Sequence, residues 1–159
     1  RIPVMDGEFV CEEKTARVPA IGGGNFLLLS KNRASCLAAC EIAVNVMSKL
    51  DNVITPFPGG VVRSGSKVGS KYKALIASTN DAFCPSLKGI TGSKLSKDVS
   101  AVMEIVINGL TKEDIDKAIR ESLIAISKSK YKKDILSVSA GNYGGKLGQY
   151  HFHLRDILK

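Results

Sequence analysis

Apolar positions recur at helical spacing in two stretches of the chain and form continuous runs in two others. The first helical stripe occupies about 32–50, and the second follows Thr111, which is expected to cap its helix with Asp114 three residues on. The continuous apolar runs at 25–29 and 101–107 are suited to buried strands. The pattern therefore predicts two amphipathic helices and two buried strands.

Shorter strands are expected around these elements. Two of them, within residues 1–13, flank a turn at Asp6 and Gly7. Further short strands are predicted at 53–55, 61–62, 73–77, 135–140 and 149–154. The rest of 59–100 is rich in Gly, Ser and Lys, so it is expected to be loop.

The order strand–helix–strand occurs twice, over 25–62 and over 101–140. Two such units predict an α+β fold: a ferredoxin-like split β-α-β sandwich whose antiparallel sheet is covered on one face by two helices. The length of 159 residues suggests a single domain.

Composition excludes several classes of protein. A chain with 44% hydrophobic and 24% charged residues can bury a core and is not disordered. No apolar run approaches the roughly 18–20 residues of a membrane span, and no leader pattern is present, so a cytoplasmic location is expected. The net charge of +8 favours an anionic partner without choosing between nucleic acid, phosphate and carboxylate. Since the chain opens on Arg1, it is expected to be a processed product or part of a longer protein.

Cysteine and histidine spacing does not predict a metal site. The chain has four cysteines, all expected to be reduced: Cys11, Cys36, Cys40 and Cys84. Cys36 and Cys40 lie four apart in a helical pattern, where two buried thiols are favoured over half of a metal site. His151 and His153 lie two apart and lack a third ligand at a recognised spacing, so structural roles are favoured.

Two glycine–lysine stretches resemble phosphate-binding loops but depart from the pattern. The stretch 65–71 has the wrong glycine spacing, and 145–146 is followed by leucine rather than Ser or Thr. Nucleotide hydrolysis is therefore not expected. Both stretches remain open to interpretation as plain turns or as turns whose backbone N–H groups face an anion.

RNA binding is compatible with a basic domain of this predicted fold. Such modules stack bases on aromatic residues of the sheet, whereas the strands at 101–107 and 135–140 carry none and aromatics make up only 6% of the chain. This absence counts against RNA binding without excluding it.

Glu104 is a lone carboxylate between Met103 and Ile105 in an apolar strand. If it is buried, its pKa should be raised, a condition that suits a general acid or base near neutral pH. A glutamate on a solvated face, or one paired with a lysine, is the alternative, and the residues alone leave both open.

Seven segments carry a resemblance to a known family: 2–9, 23–26, 55–60, 64–71, 78–85, 104–110 and 139–148. Their sequences are similar to the C-terminal half of formylmethanofuran:tetrahydromethanopterin formyltransferases. The strings are long and unusual, and together they cover essentially the whole chain.

The resemblance implies an acyltransferase of one-carbon metabolism, in methanogenesis or a related pathway. The family moves a formyl group from the amine of methanofuran to a ring nitrogen of tetrahydromethanopterin, and these two carriers are substrates rather than prosthetic groups. Family members have two ferredoxin-like lobes and form oligomers, typically tetramers. Residues 1–159 would be a single C-terminal lobe lacking the family's N-terminal lobe, and would be active only with that lobe or in an oligomer. No nucleic-acid or membrane partner is implied.

The resemblance also assigns residues. Glu104 corresponds to the family's active-site glutamate, the acid or base at a tetrahedral intermediate. The expected carrier-binding residues lie in three loops: Gly59, Gly60, Ser66, Lys67, Ser70, Lys71, Thr79, Asn80, Asn142, Lys146 and Gln149. A non-catalytic lobe that binds a pterin carrier or RNA is the alternative function.

Overall fold

The sheet is built around one long central strand. The computed structural model describes residues 1–63, 80–90, 92–141 and 148–159. Strand β3 (Ile21–Ser30) pairs antiparallel with β6 (Ala101–Gly109) on one side and with β7 (Ile135–Ser139) on the other. Two short strands, β4 (Val53–Ile54) and β5 (Val62–Arg63), pair antiparallel with β6 on its other edge.

Two helices cover one face of this sheet. Helix α1 (Arg33–Met47) connects β3 to β4, and α2 (Lys112–Lys128) connects β6 to β7. The strand order β4-β6-β3-β7 with two such crossovers is the predicted ferredoxin-like α+β sandwich, which the structure confirms. None of these helices, nor any other in the described part of the chain, is long and apolar enough to cross a membrane.

The helix starts follow from local capping chemistry. The side chain of Asn32 accepts a hydrogen bond of 2.8 Å from the backbone N–H of Ser35 at the start of α1. At the start of α2, Thr111 Oγ1 accepts from the N–H of Asp114, and Asp114 Oδ2 accepts from the N–H of Thr111, both at 3.1 Å. The predicted cap is therefore a complete capping box, and its Thr111 side-chain hydrogen bond holds the pKa of Asp114 below the usual value.

The main core lies between the sheet and the two helices. Alternate residues of β3 and β6 point into it, among them Phe26, Leu28, Ile105 and Ile107. Cys36 and Cys40 of α1 are buried in the same core, and all four cysteines are free, so the expectation of two buried thiols is confirmed.

The opposite face of the sheet is also covered. Leu27 and Leu29 of β3 and Val102 of β6 form a second cluster with Val99, and Phe83 and Leu95 pack against it. The covering residues belong to segment 81–99, which contains two 3-10 turns, Asp81–Phe83 and Pro85–Leu87. Because β3 is buried on both faces, its apolar positions run continuously instead of alternating.

The structure confirms the prediction for the N-terminal end of the chain but not the one for the C-terminal end. The N-terminal hairpin is confirmed, with β1 (Ile2–Val4) and β2 (Gly7–Phe9) around the turn. The strand predicted at 149–154 is wrong: residues 148–153 form no strand, and a short helix α3 (Leu154–Ile157) begins there. The apolar residues of this segment, Phe152 and Ile157, dock into the core beside α2 rather than onto the sheet. The strand predicted at 73–77 lies outside the described residues.

We expect the capping box of α2 to make a pH-dependent contribution to stability. The pKa of Asp114 is lowered in the folded state, so the contribution is present above the unfolded value of about 3.9 and is lost as the pH falls through the folded pKa. Thr111→Val should lower the unfolding temperature by about 2–4 °C at neutral pH, and the difference should shrink below about pH 4. Thermal unfolding at pH 7, 4 and 3 checks this, with Thr111→Ser as the control that keeps the hydroxyl; a difference that is the same at all three values would contradict it.

Candidate functional site

Glu104 lies on the face of the sheet that is turned away from the two helices. It is on β6, and the strand registers place it beside Leu27 of β3 and Val62 of β5. Only 9% of the residue is exposed, although it carries a carboxyl group. The alternative of a glutamate on a solvated face is therefore excluded.

A buried asparagine holds the carboxyl group of Glu104. Asn25 of β3 lies diagonally across the strand pair and is 6% exposed. Its Nδ2 donates a hydrogen bond of 2.6 Å to Glu104 Oε1. Its Oδ1 accepts a hydrogen bond of 2.8 Å from the backbone N–H of Gly141, just after β7. The carboxamide thus links three strands of the sheet through one polar chain.

Gly141 is in close contact with this carboxamide. A Cβ atom at position 141 would lie 2.7 Å from Asn25 Nδ2 and 2.8 Å from Oδ1. Such distances are shorter than van der Waals contact, so a side chain here would displace Asn25 from its place beside Glu104. The position requires glycine because another polar group approaches it, and not because of its backbone angles.

The segment that covers this face is held in place by hydrogen bonds to its own backbone groups. Lys88 Nζ donates to the carbonyl oxygens of Lys97 and Val99, and the N–H of Lys94 donates to the carbonyl of Ala82 at 2.8 Å. Val99 packs on Leu27 and Val102, which adjoin Glu104 along and across the strands. The covering segment therefore shields from water the apolar side chains that adjoin Glu104 on this face.

The predicted carrier-binding residues fall into two groups. Gly59, Gly60, Asn80 and Gln149 are described, whereas seven others lie outside the described residues: Ser66, Lys67, Ser70, Lys71, Thr79, Asn142 and Lys146. Both glycine–lysine stretches, 65–71 and 145–146, are outside as well.

The turn at Gly59 and Gly60 is brought near Glu104. It directly precedes β5, whose Val62 pairs with Glu104. Gly60 is buried with φ of +73°, and a Cβ there would lie 2.6 Å from Cγ2 of Val44 on α1. Gly60 is therefore needed for the packing of this turn on α1, whereas Gly59 is exposed.

Asn80 is half-buried at the start of the covering segment. Its carbonyl accepts a hydrogen bond of 3.0 Å from the N–H of Phe83, so its backbone begins the turn that places Phe83 on the sheet.

Gln149 is placed at a different part of the molecule. It is exposed and lines a cleft of ≈ 520 Å³ with residues that include Leu110 and Lys112, at the start of α2. Leu110 follows Glu104 by six positions along β6, which corresponds to about 20 Å of strand. The structure does not bring Gln149 together with Glu104.

The two histidines pack against each other. The rings of His151 and His153 stack with centroids 6.2 Å apart and planes 11° from parallel. Across the described ranges, no group of three or more His, Cys, Asp or Glu side chains is arranged to hold a metal ion. The contact that the structure shows for this pair is ring stacking.

Sequence reasoning missed Asn25 and Gly141. Both lie in segments that carry the family resemblance, 23–26 and 139–148, but neither is singled out as a site residue. The signal that identified Glu104, a polar residue in an apolar run, is also present at 25–29. Asn25 and Glu104 are 79 positions apart, so local spacing could not connect them.

The whole chain is similar to proteins of one family. The family described as "FTR, proximal lobe" matches residues 7–157. The chain belongs to this family. It is 63% identical over 158 residues to a formylmethanofuran–tetrahydromethanopterin formyltransferase of Methylobacillus flagellatus, covering 99% of the chain and 52% of that protein. For the same enzyme of Methanocaldococcus jannaschii the identity is 47% over 163 residues, covering 100% and 53%. The chain thus spans about half the length of the curated relatives it matches.

Solved structures give the same result. A chain of the formyltransferase/hydrolase complex of Methylorubrum extorquens, determined with methylofuran, matches with a TM-score of 0.82 at 49% identity, covering 99% of this chain and 51% of that one. The formyltransferase of Methanosarcina barkeri matches with a TM-score of 0.81 at 44% identity, covering 98% and 52%. The family resemblance of the sequence and the predicted fold are both confirmed.

We expect Gly141→Ala to destabilise the protein by about 1–3 kcal/mol, as is usual when atoms are forced into a packed site. The added methyl group would be placed 2.7 Å from Asn25 Nδ2. Urea unfolding measures the difference. Gly92→Ala is a matched control, because a Cβ at that position meets nothing within 4 Å. Equal stability of the two variants would show that the contact with Asn25 is unimportant for packing.

Proposed function

We propose that residues 1–159 are the C-terminal, proximal lobe of a formyltransferase that moves a formyl group between formylmethanofuran and tetrahydromethanopterin. Glu104 is its general acid–base residue. The observation that carries this assignment of Glu104 is a buried carboxyl group, oriented by Asn25 at 2.6 Å, on the sheet face turned away from the helices. The assignment of the reaction is supported by relatives of that name at up to 63% identity.

The chemistry requires a group that both takes and gives a proton. A ring nitrogen of tetrahydropterin attacks the formamide carbon, a C–N bond forms, and a tetrahedral oxyanion results. The attacking amine must lose a proton, and the methanofuran amine must gain one before its C–N bond breaks. A single carboxyl group can accept the first proton and deliver it to the leaving nitrogen, so no net proton is consumed.

The environment of Glu104 suits this role. Burial makes the carboxyl group less favourable in its charged form, and the covering segment 81–99 shields the adjoining apolar side chains from water. The hydrogen bond from Asn25 to Oε1 fixes the direction of the group. A fixed direction matters because proton transfer needs a heavy-atom distance of about 2.6–3.2 Å to the reacting nitrogen.

Carrier binding is assigned to two separate parts of the lobe. The turn at Gly59 and Gly60 precedes β5, whose Val62 pairs with Glu104, and we assign it with Asn80 to the surface near the formyl group. Gln149, which lines the cleft at the start of α2, would contact a remote part of a carrier. The assignments of Ser66, Lys67, Ser70, Lys71, Thr79, Asn142 and Lys146 stay predictions. The net charge of +8 fits carboxylate- and phosphate-bearing carriers.

The proposed lobe works with other parts of a longer protein or an oligomer, and no prosthetic group is assigned to it. Residues 1–20 are exposed throughout, and they present several large apolar side chains: Ile2, Val4, Met5, Phe9, Val10 and Val18. Exposed apolar surface of this kind marks an interaction surface. A cytoplasmic location belongs to the same proposal.

The covered second face of the sheet counts against the RNA-binding alternative. RNA modules of this fold stack bases on an open sheet face, but Leu27, Leu29 and Val102 on that face lie buried under segment 81–99. A non-catalytic lobe that binds only a pterin carrier is distinguished from the proposed enzyme by the following experiment.

Glu104→Gln is expected to lower formyl transfer by about 100-fold or more, because the amide cannot exchange the proton, while the affinity for both carriers changes little. The measurement is steady-state transfer from formylmethanofuran to tetrahydromethanopterin by the full-length protein, with carrier binding followed by calorimetry. The matched control is Glu121→Gln on the exposed surface of α2, which should retain full activity. Activity of the Glu104 variant within a few-fold of the native value would overturn the role of Glu104.

A further inference from the structure

The orientation of the Asn25 carboxamide is decided by a backbone group. The carboxamide of asparagine has an oxygen that accepts and an NH₂ group that donates. The positions of the heavy atoms alone do not show which is which. Here the N–H of Gly141, which can only donate, lies 2.8 Å from the oxygen end. Flipping the carboxamide would direct its NH₂ group against this N–H and its oxygen against the Glu104 oxygen. The Nδ2 end must therefore face Glu104.

We propose that Asn25 is a positioning residue that keeps Oε1 of Glu104 as a hydrogen-bond acceptor throughout the reaction, so that the transferred proton is carried by Oε2. The proposal rests on the proposed acid–base function of Glu104. Because the Asn25 N–H₂ group has no lone pair to offer, Oε1 accepts from it whether Glu104 is ionised or protonated. The proton of the acid form is then placed on the other oxygen, whose direction is fixed by the same contact.

Asn25 also favours the ionised form of the carboxyl group. A hydrogen bond donated to a carboxylate is charge-assisted and is about twice as strong as one donated to a neutral acid. Burial acts in the opposite sense, because it disfavours the charge. The two effects together let one buried carboxyl group exist in both states, as an acid–base residue requires.

The described residues around this group belong to the sheet and to the covering segment. Its neighbours on the same face are apolar: Leu27 on β3, Val62 on β5, and Val102 and Val106 on β6, while Ser139 on β7 pairs with Leu27. In the covering segment, Lys88 is bound to carbonyl oxygens, and the other charged side chains are exposed: Asp81, Lys94, Lys97 and Asp98. Arg63, next to Val62 on β5, pairs with Met103 and is exposed.

The test compares two asparagine-to-aspartate variants in the full-length protein. Asn25→Asp retains an oxygen for the N–H of Gly141 but replaces the donor at Glu104 with a second carboxyl group. Asn108→Asp is the matched control: Asn108 lies on the same face of β6, and its Oδ1 accepts from the N–H of Gly23 at 3.0 Å. It is four positions from Glu104, about 13 Å along the strand, so a charge there acts on Glu104 far more weakly than one at hydrogen-bond distance.

We expect Asn25→Asp to move the titration midpoint of the Glu104 carboxyl group upward by at least about one pH unit, since two adjacent carboxylates resist ionising together. The acidic limb of kcat/KM should move by the same amount, and Asn108→Asp should move neither. The titration is followed by ¹³C NMR of glutamate-labelled protein, with the Glu104 signal assigned by its loss in Glu104→Gln. A midpoint unchanged in Asn25→Asp would overturn the positioning role, whatever the activity.

A second measurement needs no variant at position 25. In the native protein, the side-chain amide protons of Asn25 should shift with the same midpoint as the Glu104 carboxyl group, and Glu104→Gln should abolish this dependence. Absence of the shift in the native protein overturns the inference even if Asn25→Asp does not fold. If the native protein shows the amide shift but Glu104→Gln still transfers formyl groups at the full rate, the proposed function is overturned. The inferred hydrogen bond between Asn25 and Glu104 would stand in that case.

Discussion

Strand β3 is buried on both faces, and this constraint determines the chemistry of the sheet. One face packs against α1 and α2, and the other is covered by segment 81–99. A polar side chain on such a strand must find a partner inside the protein, because an unsatisfied buried polar group costs about 1–3 kcal/mol. Asn25 meets this requirement with two partners from different strands, Glu104 and Gly141.

The same arrangement is a poor choice if stability alone is considered. Burying a carboxyl group and a carboxamide brings a desolvation cost that well-packed apolar residues would avoid. The sheet face around Glu104 is otherwise apolar at the paired positions Leu27 and Val62. The polar chain in this setting holds one carboxyl group in a defined direction, which fits the acid–base role proposed for Glu104.

Features that depend on neighbouring residues could be predicted from the sequence. The capping box of Thr111 and Asp114 spans three positions, and the periodic stripes of α1 and α2 lie within single elements. The order of those elements was sufficient for the ferredoxin-like topology, because few sheet arrangements satisfy two such crossovers. Glu104 was found because a charged residue in an apolar run is conspicuous.

Features that depend on distant contacts could not be predicted in this way. The alternation at 149–154 indicated a strand, but Phe152 is buried against the core beside α2, and tertiary packing decided the outcome. The covering role of segment 81–99 rests on the scattered residues Phe83, Leu95 and Val99, which have no helical or strand period. The contact of Asn25 with Glu104 spans 79 positions and required the register of β3 and β6.

Gly141 connects the buried carboxyl group to the glycine-rich stretch that follows β7. Its N–H fixes the carboxamide of Asn25, and the carboxamide in turn fixes Oε1 of Glu104, so three residues act as one rigid unit. The approach of 2.7 Å that a Cβ at 141 would make leaves no space for adjustment within this unit. A displacement of the backbone at 141 would therefore be transmitted to the carboxyl group through two short hydrogen bonds. The direction of this carboxyl group is thus set partly by the backbone at Gly141, and not by the sheet alone.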